Sequence, residues 1–149
     1  MTKFFTLEEL WLWEYTDFIK EKILSKNLNL IVWETNSGKS TTILSILNSV
    51  YLRKNWEIKI ITFEDPIEKP TNFLVQFEKV VNPMNKQQNF DETNFEKLAM
   101  RSDPDAMLIW EIRDSWTANL ALLAARTWHI TFGTMHVNNT LNVIQRISW

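Results

Sequence analysis

Short apolar runs and helix-spaced apolar positions alternate along this chain. Residues 28–32, 57–63, 106–110 and 130–132 are runs rich in Ile, Val, Leu and Phe, bounded by polar residues. Such runs are the signature of strands buried on both faces. Residues 73–81 alternate instead, which predicts a strand with one exposed face. Helical spacing predicts one or two helices over 6–24, with Thr6 as N-cap and Glu8 and Glu9 in an acidic first turn. Further helices are expected over 39–52, 91–100 (capped by Asp91), 114–126 and 138–147, while the polar, irregular segment 82–90 reads as a mobile loop. Strands alternating with helices predict an α/β fold, a largely parallel sheet with helices on both faces. No internal repeat or low-complexity tract interrupts it.

The first strand runs into Trp33-Glu34-Thr35-Asn36-Ser37-Gly38-Lys39-Ser40-Thr41-Thr42, which in turn opens a helix. Strand, tight loop and helix is the context in which G-x-x-x-x-G-K-[ST] acts as a phosphate-binding loop, with Trp33 here in place of the first glycine. Backbone N–H groups of residues 33–41 and the helix N-terminus would cradle anionic oxygens. Lys39 would reach the β- and γ-phosphates of a nucleotide, and Ser40 would offer its hydroxyl to Mg²⁺. Glu111, at the end of an apolar strand, and Glu64 and Asp65, after another, would face the same crevice at the carboxyl edge of the sheet.

With 149 residues, 45% of them hydrophobic and 23% charged, the chain has the composition of a globular domain large enough to bury a core. A net charge of −2 with dispersed signs gives no electrostatic reason to expect nucleic acid. The absence of cysteine excludes disulfides and thiolate metal sites and suits a cytoplasmic setting. No apolar run has transmembrane length and the start is not a signal peptide. One feature of the composition is abnormal: 2 glycines stand against 8 tryptophans. An average chain carries about 7% glycine. Tryptophan therefore stands where turns call for glycine.

Four blocks occur in a fixed order: residues 33–42 (WETNSGKSTT), 61–68 (ITFEDPIE), 102–114 (SDPDAMLIWEIRD) and 127–139 (TWHITFGTMHVNN). Together they resemble the Walker A, Asp box, Walker B and His box of the secretion ATPases, the ring motors of type II secretion and of type IV pilus extension and retraction. The resemblance covers residues 28–147 and implies a RecA-like P-loop NTPase that hydrolyses ATP with Mg²⁺. It implies a homo-hexamer that moves pilin or pseudopilin, sits in the cytoplasm and docks at the inner membrane on a platform protein. A segment Phe132-Gly133-Thr134-Met135-His136 leans toward the retraction type.

By the same resemblance Glu111 is the Walker B glutamate, which holds Mg²⁺ through water or orients the attacking water. Glu64 activates water or shapes Mg²⁺ coordination, and Arg113 positions the Walker B loop, with Asp114 an N-cap for the next helix. His136 senses the γ-phosphate, whereas His129 braces the neighbouring loop. Asp65 and Glu68 lie about Pro66, and Asp105 pairs with Asp103 around Pro104, as secondary site residues or plain turn residues. Residues 1–27 form a helical lead-in, and 28–149 an ATPase core that lacks the family's N-terminal domain, its arginine fingers and its C-terminal continuation.

The departures share one form. Trp33, Trp110 and Trp128 occupy positions where the family has glycine, and Trp11 stands where Leu-Gly-Leu is common. A UGA codon that means glycine, read as tryptophan, leaves this pattern. If instead the tryptophans are real, the expected protein is a catalytically weak nucleotide-binding or scaffold subunit.

Overall fold

The computed structural model describes residues 5–10, 13–22, 25–33, 38–55, 57–79, 89–90, 94–127 and 129–136. Within these, a short 3₁₀ turn, Trp13–Tyr15, leads into α1 (Thr16–Lys22). Then follow β1 (Leu28–Trp33), α2 (Lys39–Arg53), β2 (Ile60–Glu64), β3 (Leu74–Lys79) and β4 (Asn89–Phe90). The remaining elements are α3 (Phe95–Ser102), β5 (Ala106–Ile109), α4 (Ser115–Arg126) and β6 (Ile130–His136). The strands form one six-stranded sheet in the order β1-β6-β5-β2-β3-β4, and every neighbouring pair is parallel. All strands therefore end on the same edge.

Strand alternation divides the sheet into two faces. Ile61, Phe63, Phe77, Met107, Ile109 and Met135 pack under α3 and α4 with Phe95, Leu120 and Ala121. Ile60, Leu74, Leu108, Ile130 and Phe132 pack against Ile43, Leu47 and Val50 of α2. Each fully buried side chain of this size contributes roughly 1.5–3 kcal/mol. Continuing the alternation, Thr62 and Glu64 follow Ile60, Trp110 follows Leu108, and Thr134 and His136 follow Phe132. The polar ends of β2 and β6 thus emerge on the α2 face at the carboxyl edge, with Trp110 after β5 between them.

Two connections shape that edge. Between β2 and β3 the chain returns without a helix, and residues 65–73 cross on the α2 side, where Phe73 meets the Tyr51 ring at 5.3 Å between centroids. Before α4, Asp114 closes a capping box: its carboxylate accepts from the Thr117 N–H at 2.8 Å, while Thr117 Oγ1 accepts from the Asp114 N–H at 3.2 Å.

Several elements depart from the sequence pattern. The lead-in is a turn and a short helix, held at its start by Thr6 N–H donating to Glu9 at 2.9 Å and Glu9 N–H to Thr6 Oγ1 at 3.1 Å. The second strand begins at Ile60, later than expected. In β3 the two most buried residues, Leu74 and Phe77, point to opposite faces, each into one of the two core clusters, while Val75 stays exposed. Asn89 and Phe90, read as loop, pair with Glu78 and Lys79. The third helix starts at Phe95, with Asn94 accepting its first backbone bond at 2.9 Å. The last strand extends to His136, because β1 supplies partners as far as Trp33. Asp91, the remainder of 82–90 and the helix expected over 138–147 lie outside the described residues.

Candidate active site

The site starts from α2. Gly38 precedes the helix at φ 82°, a left-handed conformation that costs glycine little and other residues much. The turn aims the N-terminus of a 15-residue helix at the carboxyl edge and places Lys39, Ser40 and Thr41 in its first turn. Glu34, Thr35, Asn36 and Ser37 lie outside the described residues. Trp33, the last residue of β1, is half-buried and in register with His136.

Lys39 lies at the centre. Its Nζ is 2.5 Å from His136 Nε2 and 3.6 Å from Glu111 Oε2, and 5.4 Å from the centre of the Trp110 ring. An ammonium has donors only, so in this contact Nε2 is the accepting atom. The lysine and glutamate side chains are 11% and 8% exposed, which leaves little water to screen them. Arg113 approaches the same oxygen of Glu111, donating from Nε and Nη2 to Oε2 at 3.1 and 3.0 Å. One carboxylate is thus held between two cations.

The Glu111 loop reaches β6 because of a glycine. A Cβ on Gly133 would meet Ile112 Cδ1 at 2.6 Å, and Ile112 N–H donates to the Thr134 carbonyl at 2.8 Å. A larger residue at 133 would force the Ile112 and Leu30 side-chain ends to shift. A cis peptide joins Trp110 to Glu111. Asp114 follows in the same loop. Burial alone would raise its pKa, but the Thr117 hydrogen bonds and the Lys79 and Arg113 charges hold it below the usual carboxylate range.

Glu64 is buried at the end of β2, 4% exposed. Its Oε1 accepts from Thr62 Oγ1 at 2.5 Å and from Gln76 Nε2 at 2.9 Å. Burial pushes its carboxyl above the ordinary range, against these two hydrogen bonds, and the nearby Glu68 charge adds to the rise. The 65–73 loop then folds over α2: Ser40 Oγ donates to Glu68, and Lys69 Nζ to Thr41 Oγ1 at 3.3 Å. Asp65 turns to the other face, 3.9 Å from Lys79.

Lys39, Ser40, Thr41, Glu64, Glu111, Arg113 and His136 therefore gather at one edge. Asp105 and His129 do not join them, since both precede their strands and lie at the opposite edge. Asp105 accepts from the Lys59 N–H at 2.8 Å, and its carbonyl accepts from the Ile130 N–H at 3.2 Å. His129 Nδ1 lies 2.8 Å from the hydroxyl of Thr127, the C-cap of α4, and 3.4 Å from the Ala124 carbonyl in the last turn of that helix. With β6 between them, the two histidines stand about 20 Å apart.

Among the described residues no group of three or more His, Cys, Asp or Glu forms a ready metal cage. The oxygen donors at this edge are a hydroxyl, Ser40, already touching the Glu68 carboxylate, and the carboxylates of Glu64 and Glu111. This hard, sparse oxygen set fits Mg²⁺, which takes one or two carboxylates and fills its octahedron with water and phosphate oxygens. Sequence spacing did not single out Thr62, Gln76 or Lys69. Their one signal was polarity inside or beside strand-patterned runs.

The chain is similar to known proteins over nearly its whole length. The family model described as "Type II/IV secretion system protein" matches residues 12–149. The type IV pilus ATPase PilT of Pseudomonas aeruginosa is 37% identical over 150 residues, which is 98% of this chain and 41% of that protein. Type II secretion system protein E of Xanthomonas campestris is 33% identical over 135 residues, 88% of this chain and 22% of that protein. Among solved structures, the pilus retraction motor PilT with bound ADP superposes with a TM-score of 0.65 at 34% identity, covering 85% of this chain and 37% of that one. The ATPase DotB of Legionella pneumophila gives a TM-score of 0.74 at 25% identity, covering 99% and 40%. The chain thus spans well under half the length of these relatives. A match running from the lead-in through both histidines, on an all-parallel sheet of the same fold, makes this chain a member of the type II/IV secretion system protein family.

Proposed function

We propose that the protein is an ATP-hydrolysing motor subunit of a type IV pilus or type II secretion machine, with its nucleotide site at the carboxyl edge of the sheet. The observation that carries this reading is the convergence of Lys39, Glu111 and His136 around the N-terminus of α2. A relative at 34% identity was solved with ADP bound, and its nucleotide is the model for this one. Phosphoryl transfer needs positioning and charge neutralisation more than covalent chemistry. Lys39 supplies a cation for the β- and γ-phosphates once it leaves His136. Glu111, clamped by Arg113, keeps its Oε1 free of the Arg113 bonds and 3.6 Å from His136 Nε2, where it can orient a water or a hydrated cation. Glu64 is the second carboxylate, kept dry until the attacking water arrives. Mg²⁺, when bound, neutralises phosphate charge; Ser40, Glu64 and Glu111 are the residues that would hold it, the carboxylates partly through water.

In this reading residues 28–149 are the ATPase core, assembled as a homo-hexamer on a membrane platform protein, and pilin or pseudopilin is the load. A second reading, a weakly hydrolysing nucleotide-binding or scaffold subunit, draws on the Trp110 ring lying over the ammonium of Lys39. ATP turnover by the full-length protein separates the two. A motor hydrolyses ATP and loses that activity in Lys39→Ala and Glu111→Gln; a scaffold binds nucleotide without turnover in any of these forms.

A further inference from the structure

Gln76 sits on β3, outside every motif that marks the site, yet its side chain is fully engaged. Its Nε2 donates to Glu64 Oε1 at 2.9 Å and to the Lys69 carbonyl at 3.1 Å, and its Oε1 accepts from the Thr71 N–H at 2.8 Å. These partners fix the amide's orientation. Flipped, its oxygen would face a carboxylate and a carbonyl, and its nitrogen would face an N–H. One side chain therefore binds the carboxylate of Glu64 and, through two backbone contacts, the 65–73 loop. That loop carries Glu68 onto Ser40 and Lys69 onto Thr41. A neighbouring strand residue does the same for the far end of the loop, Glu78 accepting from the Ile67 N–H at 3.1 Å, without touching Glu64.

We propose that Gln76 is a positioning residue of the hydrolytic step: by holding Oε1 of Glu64 against β3 it fixes the orientation in which the carboxylate meets the water that attacks the γ-phosphate. The inference rests on the role given to Glu64 above. A buried carboxylate at a strand end keeps one geometry only where its neighbours fix its rotamer, and losing such a support typically lowers activity about ten- to hundredfold.

The test is ATP turnover and fluorescent-ADP binding in the full-length protein, for Gln76→Leu, Gln76→Glu, Glu64→Gln and the double variant Gln76→Leu with Glu64→Gln. Gln76→Glu keeps the size of the side chain and its acceptor for the Thr71 N–H but has no donor for Glu64, so it reports if Gln76→Leu fails to fold. The expected result is a kcat lowered about tenfold or more in both single Gln76 variants, with KM for ATP and ADP affinity unchanged. In the Glu64→Gln background the further loss on Gln76→Leu vanishes, because both changes remove the same function. Wild-type kcat in Gln76→Glu, a rise in KM alone, or an equal further loss in the Glu64→Gln background each overturns the inference. Wild-type turnover in Glu64→Gln itself overturns instead the reading of Glu64 on which it rests.

Discussion

The two edges of the sheet carry the same kinds of side chain and put them to different uses. At the amino edge stand Lys59, Asp105 and His129; at the carboxyl edge stand Lys39, Glu111 and His136. At the amino edge these groups engage the main chain and helix ends: Asp105 accepts from the Lys59 N–H, Lys59 Nζ donates to the Ser102 carbonyl, and His129 meets the Thr127 hydroxyl at the end of α4. At the carboxyl edge they meet one another, with Lys39 against His136 and Glu111 between Lys39 and Arg113. Parallel strands make the difference. Every β-to-α turn leaves from one edge, so loops and the α2 N-terminus converge there, and side chains can gather around a ligand instead of tying down backbone. Residue type alone, including two histidines seven positions apart, does not separate a site from a structural cap.

The sharpest way to break this contrast is substitution at matched positions on the two edges. Lys39→Ala and Glu111→Gln are expected to lower ATP turnover by about a hundredfold or more. His129→Ala and Asp105→Asn should leave kcat unchanged and register only in thermal stability. Steady-state phosphate release on all four measures this, and a loss of kcat at the amino edge as large as at the carboxyl edge would remove the distinction.

A smaller effect is expected at Trp110, whose ring over Lys39 represents a cation–π contact of roughly 0.5–2 kcal/mol. Trp110→Gly frees the ammonium for phosphate, so affinity for fluorescent ADP should rise severalfold; unchanged or weaker binding would mean that the ring does not compete with nucleotide. Peptide mass mapping of the protein from its own source settles the codon question separately, because it distinguishes glycine from tryptophan at each of the 8 positions.

Next comes the stability that the carboxyl edge gives up for its chemistry. Burial raises the Glu64 pKa, so the folded state takes up the proton more readily than the unfolded chain, whose value is near 4.5. Such a group supports the fold below the unfolded pKa, and that support is lost as pH rises through the folded pKa. Glu64→Gln should therefore raise Tm at neutral pH and give little gain near pH 4, about where the wild-type carboxyl is protonated in both states. A gain independent of pH would contradict the burial argument. The smallest effect is that of the Asp114 cap: Asp114→Ala should cost about 1 kcal/mol, seen as a Tm a few degrees lower.

Much of this arrangement was legible in the residues. The strand runs, the α2 helix and the Asp114 cap follow from local pattern, Lys39 from the phosphate-loop pattern, Glu64 and Glu111 from their places at strand ends, and His136 from the resemblance to the secretion ATPases. What was hidden depends on neighbours distant in sequence. β6 continues through Gly133 to His136 with β1 paired alongside it, and the Ile112 side chain fills the space that glycine leaves. β4 is two residues long and exists through pairing with Glu78 and Lys79. Gln76 is one polar residue in a strand, and its importance appears only when β3 lies beside β2. Asp105 and His129 were drawn into the site by proximity to motifs in sequence. The direction of their strands places them at the other end.

The most direct measurement is backbone hydrogen exchange on the full-length protein with and without Mg·ADP. Binding at the carboxyl edge predicts slowed exchange at the start of α2, over residues 64–69 and over 110–113, with residues 103–105 and 127–130 unchanged. Protection confined to the amino edge, or none at nucleotide concentrations that saturate binding, would contradict the placement of the site.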